Sequence, residues 1–238
     1  INEVTSENLL RSKDFVRALF EISKADLKLF SIGEATESCL VPSNVAEQVL
    51  RRIESLKVVE DTDLQQFLSQ VVTTKFEFYL SRAQEILGEK YTKLLALEYQ
   101  VLSPSDFGFH NAILTTSGDL VFFDFEYFGW DDPVKLTIDF CLHPAMCLDV
   151  QSQQFWMQEM RSIFSNDPDF DLRLKALAPL FAIRWSMIIL NEFLGEKLKN
   201  RLHAGSTLRA EIRSKQQAQL EKAKRMIFNA DQGYFDVA

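Results

Sequence analysis

Three oxygen-bearing side chains stand at a spacing that suits phosphoryl transfer: Asp106, Asn111 five residues on, and Asp124 beyond a turn. That reaction needs a carboxylate to orient an attacking hydroxyl and accept its proton. It also needs oxygen ligands for the Mg²⁺ that accompanies nucleotide phosphates. All three residues lie in SPSDFGFHNAILTTSGDLVFFDFEYFGWDDP, Ser103 to Pro133. Singly, each has a plainer reading, since an Asp after a Pro caps a turn and an Asn before a strand closes an Asx turn. Their joint spacing about a hairpin carries the chemical reading.

The elements that must position them can be read locally. Leu97 to Leu102 is an apolar run ending at Ser103-Pro104, where proline breaks a ladder, so a strand is expected to deliver the chain to a loop there. Ala112 to Leu114 and Leu120 to Phe125 are β-prone, and Thr116-Ser117-Gly118-Asp119 between them has turn chemistry. Pairing the two runs brings Asn111 close to Asp124. Asp106 sits at the mouth of the hairpin, on a loop whose Gly108 permits a sharp turn and close approach to a ligand.

At these residues the chain resembles the aminoglycoside phosphotransferase and choline kinase group, whose fold is related to that of protein kinases. Asp106-Phe107-Gly108-Phe109-His110-Asn111 matches the D-x-x-x-x-N part of the catalytic loop, and Phe123-Asp124-Phe125-Glu126 matches the second acidic motif. Trp130-Asp131-Asp132-Pro133, followed by Asp139-Phe140, is similar to the family's G-W-x-D-P and the helix after it. Pro104 stands where the family has a histidine that braces the loop, a departure that bears on the loop's support more than on the chemistry. The resemblance implies that Asp106 is the catalytic base or the residue orienting the substrate hydroxyl. It further implies that Asn111 and Asp124 hold Mg²⁺ with ATP or another nucleoside triphosphate, and that Glu126 serves a second metal or the substrate.

Composition bounds the remaining readings. A chain of 238 residues with 47% hydrophobic and 25% charged content is ample for one core. A net charge of −8 argues against a nucleic-acid partner. No apolar run approaches a bilayer span by inspection, so no membrane partner is expected, and Ile1-Asn2-Glu3 is neither a signal peptide nor a native start, which reads as a fragment. Cys39, Cys141 and Cys147 have no paired or metal-ligand spacing, consistent with reduced thiols in a cytoplasmic setting.

The rest of the chain reads as helix. Ser6 to about Leu29 carries Leu9, Leu10, Phe15, Val16, Leu19, Phe20 and Ile22 on a wide apolar face. Ser43 or Asn44 caps a second helix to Leu56, and Thr62 with Gln65 opens a third that ends at Gly88. Pro133 to Leu142 begins with proline in the first turn and stops before Pro144. Asp139 within it, flanked by Ile138 and Phe140, is expected to be a buried support for the catalytic loop. Gln151 to Phe164, Asp169 to Leu194 and Ser206 to Asn229 follow, separated by Asn166-Asp167-Pro168 and His203-Ala204-Gly205. The eight glycines are scattered, with no phosphate-loop motif and no strand-rich stretch before residue 90.

The expectation is therefore an α+β, mainly helical chain. It reads as the C-terminal lobe of a protein-kinase-like fold with a short catalytic hairpin, the N-terminal β-rich lobe absent. Residues 1–238 form one lobe in this reading: 1–90 helical, 91–133 catalytic loop and hairpin, 134–238 helical on the substrate side. The missing lobe, a nucleotide and a small-molecule acceptor are the implied partners.

Acceptor choice is thinly encoded. Glu126, Asp131, Asp132, Arg184, Trp185, Asn191 and Glu192 are candidates to line the acceptor pocket, where carboxylates and aromatic faces suit an amine-bearing substrate. Against that, Asp131-Asp132 can cap the helix at Pro133, and the aromatics can be core. Arg184, within an apolar run, needs a partner if buried: one of these carboxylates, or an anionic sugar or phosphate. His110 and His143 are assigned no mechanistic role, because the chemistry is mostly positioning and charge neutralisation. Two functions follow: an ATP-dependent kinase acting on a hydroxyl of an amino alcohol, sugar or aminoglycoside-like acceptor, inactive as an isolated lobe, or a pseudokinase-like binding module without phosphotransfer.

Overall fold

The computed structural model describes residues 4–25, 31–194 and 208–231. It is 68% helix and 6% strand, which establishes a mainly helical α+β chain with small sheets. Among the described residues every strand lies between Val101 and Asp131, so the sheet structure serves the Asp106 stretch alone. The expected continuation of the first helix to Leu29, the break at His203-Ala204-Gly205 and the helix start at Ser206 lie outside the described residues.

The chain divides into two compact units, residues 1–44 with 89–174 and residues 45–88 with 175–238. In the first unit, helix α1 (Ser6–Ala25) buries Leu9, Ser12, Val16 and Leu19 at helical spacing. Leu10 and Ile22 are 42% and 49% exposed, so its apolar face is narrower than the sequence suggests. Leu97–Tyr99 is a 3₁₀ turn, and only Val101–Ser103 forms strand β1. Strand β1 pairs antiparallel with β4 (Gly129–Asp131), Leu102 opposite Trp130. Ser23 of α1 accepts the Leu102 N–H at 2.9 Å, tying helix to strand.

The segment about Gly33 covers the other edge of β4: Trp130 N donates to Gly33 O at 3.0 Å and Ala35 N to Trp130 O at 3.0 Å. The approach is so close that a Cβ on Gly129 would sit 2.4 Å from Ala35 N, which is why glycine stands there.

The hairpin is β2 (Ala112–Leu114) with β3 (Leu120–Phe122), Ile113 opposite Val121. The second strand stops at Phe122, three residues short of expectation, because Asp124 takes a left-handed backbone at φ 65°. Helix α5 (Pro133–Leu142) has the expected bounds, with Asp132 as its cap accepting Val134 N and proline at its start. Helix α6 (Val150–Ile163) contributes Trp156, whose ring stacks on Phe140 at 3.8 Å and whose N–H bonds Thr137 O at 3.1 Å. Phe15, Phe107, Phe122 and Phe140 join it in an aromatic core beneath the hairpin.

The second unit holds α2 (Asn44–Lys57, its cap at the unit boundary), α3 (Thr62–Phe67), α4 (Thr73–Leu87), most of α7 (Phe170–Ile189) and α8 (Leu208–Asp231). The expected capping box at Thr62 and Gln65 is replaced by Asp61, which accepts Leu64 N at 3.0 Å. Gln65 instead donates backward to Leu56 O and Val59 O. A π turn over Leu68–Val72 interrupts the expected continuous helix; Thr73 Oγ1 bonds Leu68 O at 2.9 Å within it. Gly88 ends α4 at φ 53°, as expected of a helix-stopping glycine.

Phe170–Phe193 is, by length and composition, long and apolar enough to cross a membrane, contrary to the inspection of the sequence. However, 78% of its apolar window is buried within the protein, as in a core helix.

Candidate active site

The Asp106 loop follows directly from strand β1. Ser105, at φ 66°, turns the chain, its N–H held by Ser103 Oγ at 3.1 Å while Asp106 N donates to Pro104 O at 2.9 Å. Ser105 Oγ donates to Thr36 O at 3.1 Å and accepts from Lys135 Nζ at 3.2 Å. With proline at 104, these serine contacts support the loop. Beyond Ser105 the side chains alternate: Phe107 and Phe109 are buried in the core, while Asp106 and His110 reach the partly open face. Gly108 between them is fully extended, φ 171°, so it makes no sharp turn. A Cβ there would lie 2.7 Å from Met146 Sδ and 2.8 Å from the His110 ring, and close packing is therefore what demands glycine.

Asn111 closes the loop. Its Nδ2 donates to the Asp106 carbonyl at 3.0 Å and to Asp106 Oδ2 at 3.3 Å. Its own carbonyl accepts Phe123 N at 3.0 Å, so the residue before Asp124 is fastened to Asn111, as pairing of the two runs predicts. Asp124 and Glu126 are exposed. Tyr127 reads the same convergence of charge: its hydroxyl is held above its usual range first by a hydrogen bond to Glu126, with the charges of Glu126, Asp106 and Asp124 adding.

Two histidines that sequence reasoning set aside meet Asp106. His110 Nε2 lies 2.9 Å and His143 Nε2 3.6 Å from Asp106 Oδ1, and the two rings stack 3.8 Å apart at 8°. The His110 hydrogen bond is the main influence holding the Asp106 carboxyl below its usual range; burial opposes it, while the charges of both histidines and the Asn111 bond assist. Burial, helped by His110, lowers His143 to about 4, against the pull of Asp106 and Asp139. The signal available in the sequence for His110 was its place four residues after Asp106. His143 carried none, since it arrives from the end of α5.

Asp139 is 5% exposed and pairs with Lys135 Nζ at 3.2 Å. Lys135 in turn holds Ser105, so Asp139 supports the loop through a lysine the sequence reading passed over. Asp131 and Asp132 are 0% and 1% exposed, and are structural in this fold instead of lining an acceptor pocket. Asp131 accepts Cys39 N at 2.8 Å and pairs with Lys135 at 2.9 Å; burial pushes its carboxyl up, with Lys135 opposing. Asp132 caps α5 and takes Arg173 in a two-pronged contact at 2.8 and 3.0 Å.

Arg184, Trp185, Asn191 and Glu192 belong to the second unit. Arg184 is 5% exposed, and its guanidinium bonds Gln48 Oε1 at 2.7 Å and lies 5.6 Å from the Trp185 ring centre, so a carboxamide is among its partners. The Glu192 carbonyl accepts from Gln216 at 3.3 Å. Comparison of the chain with protein-family models, with curated proteins and with solved structures returns no match.

Proposed function

We infer that this chain carries the catalytic and metal-binding part of an ATP-dependent phosphotransferase, moving the γ-phosphoryl group to a hydroxyl of an amino alcohol, sugar or aminoglycoside-like acceptor. The observation that carries this reading is the pair of hydrogen bonds that Asn111 Nδ2 donates to the Asp106 carbonyl and carboxylate, with Phe123 fastened to the Asn111 carbonyl. With its amide hydrogens spent on Asp106, Asn111 presents Oδ1 as an acceptor, the atom a hard cation requires. Asp124 offers an exposed carboxylate one residue past the Asn111 contact. This donor set fits Mg²⁺, with Asn111 and Asp124 as its ligands and Glu126 as a further oxygen.

When bound, Mg²⁺ neutralises charge on the nucleotide phosphates. Asp106, ionised because His110 holds its carboxyl low, orients the acceptor hydroxyl and receives its proton late. Lys135 and Ser105 fix the loop from which Asp106 acts.

A second reading, a kinase-like module that binds without phosphotransfer, is favoured by the contact of His110 Nε2 with Asp106 Oδ1, which engages an oxygen a hydroxyl would use. The deciding experiment incubates the full-length protein that contains this chain with Mg²⁺-ATP and a panel of amino alcohols, sugars and aminoglycosides, then repeats it with Asp106→Asn. Phosphotransfer that falls about 10²–10⁴-fold in the variant supports the first reading. Turnover indifferent to the substitution removes Asp106 as the base, and absence of turnover with every acceptor supports the second.

A further inference from the structure

Among the described residues, one group of three His, Cys or carboxylate side chains could hold a metal ion: Asp106, His110 and His143, with donor atoms all within 4.8 Å of one another. We propose that these three form a binding site for a divalent transition-metal ion of the Zn²⁺ class, distinct from the oxygen ligands Asn111 and Asp124. Two imidazoles and one carboxylate are a borderline donor set. Zn²⁺, Co²⁺ and Ni²⁺ prefer it, and Mg²⁺, which demands oxygen, does not.

The distances suit such an ion. Bonds of roughly 2.0–2.1 Å at tetrahedral or octahedral angles put neighbouring donor atoms about 3.0–3.4 Å apart. Asp106 Oδ1 is 2.9 Å from His110 Nε2 and 3.6 Å from His143 Nε2. The site is partly sheltered yet reachable, with side-chain exposures of 37%, 19% and 18% for Asp106, His110 and His143. His110 Nδ1 is buried without a hydrogen-bond partner, so the polar contacts of that ring run through Nε2, on the side of the cluster. Ring stacking against His143 holds both imidazoles close to the carboxylate before any ion arrives, which lowers the ordering cost of binding.

Two contacts oppose the site. An ion at His110 Nε2 replaces the hydrogen bond that this nitrogen gives Asp106 Oδ1 and sends its proton to Nδ1 or to solvent; the second contact is on His143. Ala145 N donates to His143 Nδ1 at 3.2 Å, which in the neutral ring leaves the proton on Nε2. An ion at Nε2 displaces that proton, moves the ring to the other tautomer and gives up the Ala145 bond. The rings also tilt out of their parallel stack so that both Nε2 lone pairs converge. That bond is long and solvent-exposed, so its loss sets the affinity without forbidding binding.

The test uses the whole chain, cleared of metal by chelation, in a Cys147→Ser background because the Cys147 thiol is exposed and competes for soft ions. Zn²⁺ and Co²⁺ are titrated by calorimetry with millimolar Mg²⁺ present to fill the oxygen ligands. One equivalent is expected, and His143→Gln and His110→Gln each weaken it at least about 10-fold. The Co²⁺ complex should show d–d absorption without a thiolate charge-transfer band, a readout that needs neither histidine variant. No stoichiometric uptake, uptake in either histidine variant as tight as in the parent, or a Co²⁺ spectrum of the free aqueous ion overturns the proposal.

Discussion

Lys135 Nζ lies 3.2 Å from Ser105 Oγ, and this contact joins a buried pair of carboxylates, Asp131 and Asp139, to the loop that carries Asp106. The ammonium is 1% exposed, so its charge is tolerable only because the two carboxylates flank it. Lys135→Met strands both acids in the core. Urea unfolding should show a loss of about 3–5 kcal/mol, and adding Asp131→Asn and Asp139→Asn should restore part of it. A single variant as stable as the parent would mean that the lysine is not what balances the pair.

The two glycines at the β4 edge should respond in opposite ways. Gly129→Ala drives a methyl group into backbone atoms as near as 2.4 Å, and backbone cannot step aside as a side chain can. A loss of about 3 kcal/mol or more is expected. Gly33→Ala meets nothing within 4 Å and should be neutral or stabilising by up to about 1 kcal/mol. Thermal melts of the pair decide it; equal losses would refute the close approach.

Acid should destabilise the first unit before the ordinary carboxylates titrate. His143 is held neutral to about 4 in the fold, whereas a free imidazole protonates near 6.5. Between those values the unfolded chain takes up a proton that the folded chain refuses, so stability declines as pH falls through that window, by up to about 3 kcal/mol. His110, Asp106 and Asp139 are the charged groups acting on it. Asp106, held low chiefly by His110, adds stability above its unfolded value and loses it as pH falls through the folded one, in the same direction. Urea midpoints from pH 7.5 to 4 should show the slope, and His143→Gln should flatten it.

Asn111 is expected to matter twice, through Asp106 and through Mg²⁺. Asn111→Ala should reduce phosphotransfer about 10²-fold and raise the Mg²⁺ concentration needed for half-maximal rate, while Asn111→Asp keeps the oxygen ligand and should lose less. An unchanged Mg²⁺ dependence in the alanine variant would remove Asn111 from the metal site.

The local elements of the site were legible because they depend on near neighbours. Turn residues at 116–119 and β-prone runs on either side specify the hairpin, and Asp132-Pro133 specifies where α5 begins. What could not be read depends on distant partners. Lys135 sits in an apolar helix, and nothing in its neighbourhood announces Asp131, Asp139 and Ser105 together. His143 enters the site only because α5 ends beside the Asp106 loop, and Arg184 finds Gln48, a residue no charge pattern would nominate. The left-handed backbone at Asp124 was equally hidden, since a β-prone run continues through it in sequence.

Between Asp106 and His110 the chain runs through an extended Gly108 into a single 3₁₀ turn over Phe109–Asn111, with the rings of Phe107 and Phe109 buried on either side of the glycine and Asp106 and His110 left partly exposed. Two rings packed in the core anchor the loop at both sides of Gly108, so its length in residues is as fixed as its chemistry. Inserting or deleting one residue here would pull one of the rings from the aromatic core or part Asp106 from Asn111 and His110. Evolution can exchange the residues of this loop more readily than it can change their number.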